Sequence, residues 1–82
     1  MVLKEIEVTK PAGMNSKNCA LLVQKAMRFQ SDVSMEHKAK KVNCKSVMGV
    51  ISLGLKNGDK VILITRGEDE EDAAEDVAAL FQ

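Results

Sequence analysis

The residues best suited to bind an anion lie in the stretch "GMNSKNCALLVQKA", residues 13–26. A glycine and several small polar residues precede an amphipathic segment, which is the pattern of a capped helix N-terminus. Helix N-termini carry free N–H groups and the positive end of the helix dipole, so they bind phosphate readily. The stretch offers no obvious phosphate carrier, acid or base. The residues alone leave two interpretations, a functional site that lost its reactive group or a well-capped helix.

Two cysteines and one histidine are the other residues that could do chemistry. Cys19 and Cys44 are too few for a disulfide scaffold of the secreted kind. With His37 they fall short of the four ligands that a structural zinc site needs. Cys19 falls in the first turn of the predicted helix, where a thiolate would be stabilised, but its side chain is expected to face inward. We therefore expect no metal, no cofactor and reduced thiols in a cytoplasmic protein.

Length and composition indicate one small globular domain over residues 1–82. Hydrophobic residues make up 45% and charged residues 29% of the chain, and tryptophan and tyrosine are absent, so the core must be aliphatic. No apolar run approaches the roughly 20 residues that span a membrane, and no signal peptide is visible. We expect no membrane association.

The net charge of zero is divided at Gly67. Before it, twelve lysines and arginines against five acids give +7, and after it seven acids without a base give −7. The acidic run predicts a helix whose carboxylates lie at its positive N-terminal end. The basic part lacks aromatic residues for stacking and any nucleic-acid-binding motif, so an acidic protein partner fits it better than nucleic acid.

Hydrophobic periodicity predicts the element order β-α-β-β-α-β-α. The predicted strands are 2–9, 31–37, 41–44 and 60–66, with a hairpin turn at "KAK"; the predicted helices begin at Asn15 or Ser16 and run to about Phe29, begin after Ser46, and occupy 67–81. The first helix should direct Cys19, Leu22, Val23 and Ala26 inward. This alternation is typical of an α+β sandwich with helices on one face of an antiparallel sheet.

The segment "KVNCKSVMGVISLGLKNGDKV", residues 41–61, resembles HPr, the histidine-containing phosphocarrier of the bacterial sugar phosphotransferase system. "LLVQKA" and "GEDEEDA" also match the family, and the resemblance extends over the whole chain. It implies an open-faced β-sandwich, with four antiparallel strands in the order 1-4-2-3 and three helices on one face.

The opening stretch departs from this family. HPr proteins carry the phosphorylated histidine after the glycine, followed by a small residue, an arginine and a proline. Those places hold Asn15, Ser16, Lys17 and Asn18 here. An amide offers no nucleophilic nitrogen comparable to imidazole, and lysine lacks the bidentate fork of arginine. Asn15 is therefore expected to leave the protein without a phosphocarrier, while Ser16 and Lys17 remain as contacts for an anion or partner.

Ser46 has two interpretations. From the residues alone it is the N-cap of a short helix, worth about 1 kcal/mol. The resemblance adds a regulatory role, because HPr of Gram-positive bacteria is phosphorylated by a dedicated kinase on a serine placed as Ser46 is here, and then binds a transcriptional regulator. A catabolite repression branch of the family likewise lacks the histidine and keeps the serine. We expect a non-enzymatic regulator whose partners are an HPr kinase and a transcriptional regulator or phosphotransferase protein.

The resemblance also places an apolar docking patch on the first two helices. Its members are Ala20, Met27, Val47, Met48, Ile51 and Leu55. On the opposite side, Ile62 and Ile64 are expected to point out from the open face of the sheet, which predicts a weak homodimer. Two alternatives stay open: a divergent phosphocarrier, and a protein-binding module with this fold that is unrelated to sugar transport.

Overall fold

The computed structural model describes all residues from Met1 to Gln82 and forms one antiparallel sheet with three helices packed on one face. The strands are β1 (Val2–Glu7), β2 (Asp32–His37), β3 (Lys40–Asn43) and β4 (Lys60–Arg66), and the helices are α1 (Ser16–Ala26), α2 (Val47–Ser52) and α3 (Glu70–Ala78). The strand order is β1-β4-β2-β3. The predicted open-faced sandwich is confirmed.

The central strand β4 shows why the sheet has one buried and one open face. Val61, Leu63 and Thr65 are buried beneath the helices, whereas Ile62 is 38% exposed and Ile64 is half-buried. Successive side chains of a strand point to opposite faces, so this alternation follows from the sequence. The two isoleucines therefore lie on the open face, as predicted.

Helix α1 ends three residues earlier than its apolar periodicity predicts. Its four expected inward residues are buried, but the regular helix stops at Ala26. Beyond that point the chain tightens into i→i−3 turns, in which Arg28 N–H donates to the Lys25 carbonyl at 3.1 Å and Phe29 N–H to the Ala26 carbonyl at 3.2 Å. Phe29 packs half-buried against the core instead of extending the helix.

Contacts from distant parts of the chain hold the segment that follows α1. The Lys45 ammonium donates to the Phe29 carbonyl at 2.8 Å. The Asp69 carboxylate accepts from the N–H groups of Gln30, at 3.0 Å, and Ser31, at 2.9 Å. These partners satisfy backbone groups of the segment that follows the helix. They lie 16 to 39 residues away, so local periodicity could not place the end of the helix.

The β2–β3 hairpin turns on two residues rather than three. His37 pairs with Lys40, so that only Lys38 and Ala39 form the loop, and Lys40 already belongs to β3. Both loop residues have positive φ angles, 50° and 67°. Two left-handed residues are typical of a type I′ turn, which matches the twist of the flanking strands and favours Asn-Gly. Lysine and alanine adopt this conformation with strain.

Helix α3 begins within the acidic run and closes the core. Glu70, Glu71 and Asp72 occupy its first turn, near the positive end of the helix dipole. A 3₁₀ turn over Ala79–Phe81 follows, and the Phe81 ring is fully buried. The rest of the core is aliphatic, with Met35 and Leu22 among its largest side chains. No helix is long and apolar enough to cross a membrane.

Candidate functional site

The N-terminus of α1 is closed by two asparagine side chains. Asn15 is the N-cap, and its Oδ1 accepts from the Asn18 N–H at 2.9 Å. The Asn18 side-chain amide donates to the Gly13 carbonyl at 2.8 Å, which ties the loop to the first turn of the helix. Ser16 and Lys17, between these two asparagines in the sequence, are exposed. The side chain of Asn15 therefore serves as a cap, in agreement with one of the two predicted cap positions.

Gly13 fixes where this helix end lies on the fold. Its φ is +65°, and a Cβ built there would lie 2.8 Å from the Leu55 carbonyl oxygen and 3.0 Å from Lys56 Cα. The same Leu55 carbonyl accepts the Met14 N–H at 3.0 Å. Only glycine allows this close approach of two backbones. The start of α1 is thus packed against the loop that follows α2.

Ser46 is an exposed N-cap, as predicted. Its Oγ accepts from the Gly49 N–H at 3.2 Å, and its own N–H donates to the Asn43 carbonyl at 3.0 Å. The Ser46 φ of −114° is the extended conformation usual for a cap residue. The hydroxyl is therefore held at the N-terminus of α2, and Ser46 is exposed to solvent.

Lys45, the residue next to Ser46, makes a contact that the sequence does not reveal. Its backbone N–H donates to Asn43 Oδ1 at 2.9 Å, and its half-buried side chain reaches the Phe29 carbonyl. The ammonium makes no ion pair: no carboxylate lies within ion-pair distance of it, and the contacts of this kind in the structure are Met1–Glu70 and the 4.0 Å approach of His37 Nε2 to Asp59. No local pattern marks a lysine that bonds a carbonyl 16 residues earlier, so only the fold identifies it.

The residues predicted to form a docking patch lie on α1, at its C-cap and on or just after α2, and all but one of them are at least partly exposed. Met27 is 65% exposed, Met48 76%, Val47 40% and Ile51 39%, and Ala20 is half-buried. The resemblance assigns Leu55 to the patch, but it is only 4% exposed and belongs to the core. Gly54, with a φ of 57°, ends the turn after α2 and directs Leu55 inward. From here on, the docking patch means Ala20, Met27, Val47, Met48 and Ile51.

Leu21 is a second residue that sequence reasoning did not assign. It is 45% exposed on α1. A signal was available, because helical spacing places Leu21 outside the inward set formed by Cys19, Leu22, Val23 and Ala26. An exposed leucine next to a half-buried Ala20 enlarges the apolar surface of this helix.

The two cysteines are buried, and the histidine makes a hydrogen bond to the backbone. Burial raises the pKa of the Cys44 thiol to about 12 and also raises the pKa of the Cys19 thiol. Cys19 donates its S–H to the Met14 carbonyl at 3.3 Å. The Nδ1 atom of His37 lies 3.0 Å from the carbonyl oxygen of Lys60 on β4, within hydrogen-bond distance. Because a thiol is nucleophilic only as the thiolate, neither cysteine is poised for reaction.

Comparisons relate the chain to known proteins along its whole length. A family model described as "PTS HPr component phosphorylation site" matches residues 2–82. The HPr-like protein Crh of Bacillus subtilis is 48% identical over all 82 residues, which cover 96% of that relative. The crystal structure of the phosphocarrier protein HPr from Bacillus anthracis has a TM-score of 0.95 and 40% identity, covering 99% of this chain and 96% of that one. A crystal structure of Bacillus subtilis Crh, described as a domain-swapped dimer, has a TM-score of 0.80 and 48% identity, covering 100% and 94% of the two chains.

Proposed function

The chain belongs to the HPr family, and we propose that it is a non-enzymatic regulator whose binding to partners is controlled by phosphorylation of Ser46. The observation that carries this proposal is the position of Ser46, an exposed N-cap directly before Val47 and Met48 of the docking patch. A kinase can reach the hydroxyl without unfolding the domain. The same residue lies close enough to the patch to change how a partner binds it.

A phosphate on Ser46 is compatible with the fold. It would lie at the positive end of α2, beside Lys45, and helix dipoles favour negative charge at this end. The modification adds about two negative charges at neutral pH. We therefore expect little change in the fold and a large change in the electrostatic potential next to the apolar surface.

The docking patch supplies the area that a partner would cover. Met27 and Met48 are its most exposed members, and flexible methionines suit a surface that adapts to more than one protein. A partner that offers arginine would form charge-assisted hydrogen bonds with the phosphate, whereas one that tolerated the neutral patch would be repelled. The partners that fit are an HPr kinase and a transcriptional regulator or phosphotransferase protein of the same cytoplasm.

Phosphorylation by an HPr kinase tests the proposal. Wild-type protein should acquire one phosphate, located on Ser46 by mass spectrometry, with a melting temperature that changes by about a few degrees. Ser46→Ala should abolish the modification and remain folded. Ser52→Ala is the matched control, since Ser52 is an exposed serine at the other end of α2, and it should be modified normally. Phosphate on Ser16, Ser34 or Ser52, or no reaction, would mean that Ser46 is only a structural N-cap.

Binding to partners separates the regulatory role from a protein-binding module unrelated to sugar transport. Phosphorylated and unphosphorylated protein should retain different partners from a lysate, and Met48→Asp should weaken retention in both states because it places a charge in the docking patch. Identical partners for both states would favour the unrelated module.

We also infer a weak homodimer that uses the open face of the sheet. On this face Leu3, which is 63% exposed, lies opposite Ile64, and Ile62 is the next outward residue of β4. Adjacent apolar side chains on a solvated sheet face support self-association. A related protein forms a dimer described as domain-swapped, so dimerisation occurs among the relatives of this chain.

Sedimentation at increasing concentration tests this dimer. Wild-type protein should associate reversibly, and the double variant Ile62→Thr, Ile64→Thr should remain monomeric. Ile51→Thr, on the helix side, is the control and should associate as the wild type does. A wild-type monomer at high concentration would count decisively against the sheet-face dimer, and so would a dimer that the double variant retains.

A further inference from the structure

Lys45 connects the cap of α2 to the end of α1. Its backbone precedes the N-cap Ser46, and its Nζ donates to the Phe29 carbonyl at 2.8 Å. Phe29 closes the i→i−3 turns that follow α1, and its carbonyl lies two residues beyond the C-cap Met27. A lysine ammonium bonded here also lies near the carboxyl end of α1, where the helix dipole favours positive charge.

This side chain has no anionic partner in the unmodified protein. Its ammonium bonds a neutral carbonyl and forms no ion pair with any carboxylate. A phosphate on Ser46 would be on the next residue, whose Cα lies about 3.8 Å along the chain. Charge-assisted hydrogen bonds to phosphate are stronger than hydrogen bonds to a neutral carbonyl. The phosphate and the Phe29 carbonyl would therefore compete for one ammonium.

We propose that Lys45 is a positioning residue that couples the charge of Ser46 to the shape of the docking patch at Met27. While Ser46 is neutral, Lys45 holds the Phe29 carbonyl and fixes the turn that begins at Met27, the C-cap of α1. When Ser46 carries phosphate, the ammonium moves to it and the turn loosens. Met27 is 65% exposed, so a partner bound to the docking patch would contact the loosened turn directly.

A second anchor limits how far the change extends. The residues after Phe29 are held by Asp69, which accepts from the N–H groups of Gln30 and Ser31. Neither Asp69 nor Ser31 forms a hydrogen bond or ion pair with the Lys45 side chain, which bonds the Phe29 carbonyl. Release of Lys45 should therefore affect Met27–Phe29 and leave the Ser31–Asp69 contact in place, which provides an internal reference.

The coupling rests on the proposed modification of Ser46, but its test does not need a kinase. Phosphoserine is incorporated at position 46 during translation, in wild type and in Lys45→Met, which keeps an aliphatic stem and removes the N–H donors. The readout is the carbonyl ¹³C chemical shift of Phe29, which reports the hydrogen bond to this oxygen, together with the amide shifts of Met27–Phe29. Lys41→Met is the matched control, because Lys41 is exposed on β3 and bonds no carbonyl of this turn.

In wild type and in Lys41→Met, phosphoserine should move the Phe29 carbonyl shift toward the value of unphosphorylated Lys45→Met. In Lys45→Met, phosphoserine should leave the Phe29 carbonyl shift unchanged. The amide shift of Ser31 should stay constant in all variants. If Lys45 is only structural, phosphoserine will leave the Phe29 carbonyl shift of the wild type unchanged, and that result would overturn the proposal. An equal response with and without the Lys45 ammonium also overturns it. Failure of the kinase reaction would instead refute the proposed function and leave this measurement intact.

Discussion

The carboxylate of Asp69 accepts hydrogen bonds from both the backbone N–H and the hydroxyl of Ser31, 38 residues earlier in the chain. Ser31 is only 2% exposed, and its Oγ also accepts from the Asp69 N–H at 3.2 Å. The two residues thereby join the turn after α1 to the start of α3. Asp69 consequently makes no side-chain cap bond to its own helix, although it occupies the N-cap position.

These hydrogen bonds make the Ser31–Asp69 contact sensitive to pH. The Ser31 hydroxyl, followed by the Gln30 N–H, holds the pKa of the Asp69 carboxyl below its ordinary value of 3.8. A carboxyl whose pKa is lower in the folded state stabilises the fold above its unfolded pKa and loses that contribution as the pH falls through its folded pKa. Asp69→Asn should therefore reduce the free energy of unfolding at pH 7, and the difference from wild type should disappear in strong acid.

Urea unfolding at a series of pH values measures this prediction. Asp72→Asn is the control, since Asp72 lies in the same helical turn and makes no hydrogen bond to the turn after α1. At pH 7, Asp72→Asn should reduce the free energy of unfolding by less than Asp69→Asn does. Equal losses for both variants would mean that the charge at the helix end matters and the contact with Ser31 does not.

Alanine substitutions at two glycines should differ in their effect on stability. Gly54 has a φ of +57° and open space where a Cβ would lie, so Gly54→Ala should lower the free energy of unfolding by about 1 kcal/mol. Gly13 has the same handedness, but its Cβ would meet the Leu55 backbone at 2.8 Å. Gly13→Ala should lose at least roughly twice as much, since close-packed backbone cannot move aside cheaply. Chemical denaturation of both variants checks the order, and equal losses would contradict the close approach.

The β2–β3 turn can be stabilised by changing its two residues. Lys38→Asn with Ala39→Gly supplies the pair that a type I′ turn favours, and it should raise the free energy of unfolding by about 1 kcal/mol. Ala79→Gly is the control, because Ala79 is exposed with a φ of −60°. Glycine there should lower stability by about 0.5–1 kcal/mol. Thermal melts would show opposite shifts, and a loss in the turn variant would contradict the strain assigned to Lys38 and Ala39.

The predicted loss of the phosphocarrier can be tested with phosphoenolpyruvate and the upstream phosphotransferase enzyme. The wild-type protein should take up no phosphate, because Asn15 offers no nucleophile, and Asn15→His alone should label weakly at best. Asn15 and Asn18 act together, since the cap uses the Asn18 N–H that a proline would lack. Combining Asn15→His with Lys17→Arg and Asn18→Pro should label more strongly than the single variant. Acid-labile phosphate on the wild-type protein would contradict the prediction.

Local rules account for much of what could be predicted. The alternation of "KVILITR" separates the buried Leu63 from the outward Ile62. Side chains that can bond their own first turn predict the Ser46 cap and leave Asn15 or Ser16 for α1, of which the structure uses Asn15. Each of these features depends on residues within a few positions of one another. The strand order came from the family resemblance, because several orders would satisfy the same alternation.

Contacts between segments distant in the sequence determine the features that local rules do not predict. Residue types and their spacing predict the elements, their inward faces, the Ser46 cap and two candidate caps for α1, since backbone geometry and side-chain spacing act over one or two turns. Only the tertiary structure ended α1 at Ala26 and buried Leu55 against the start of that helix. It also brought the Lys45 ammonium to the Phe29 carbonyl, because a hydrogen bond across 16 residues exists only once the sheet has set the two helices side by side.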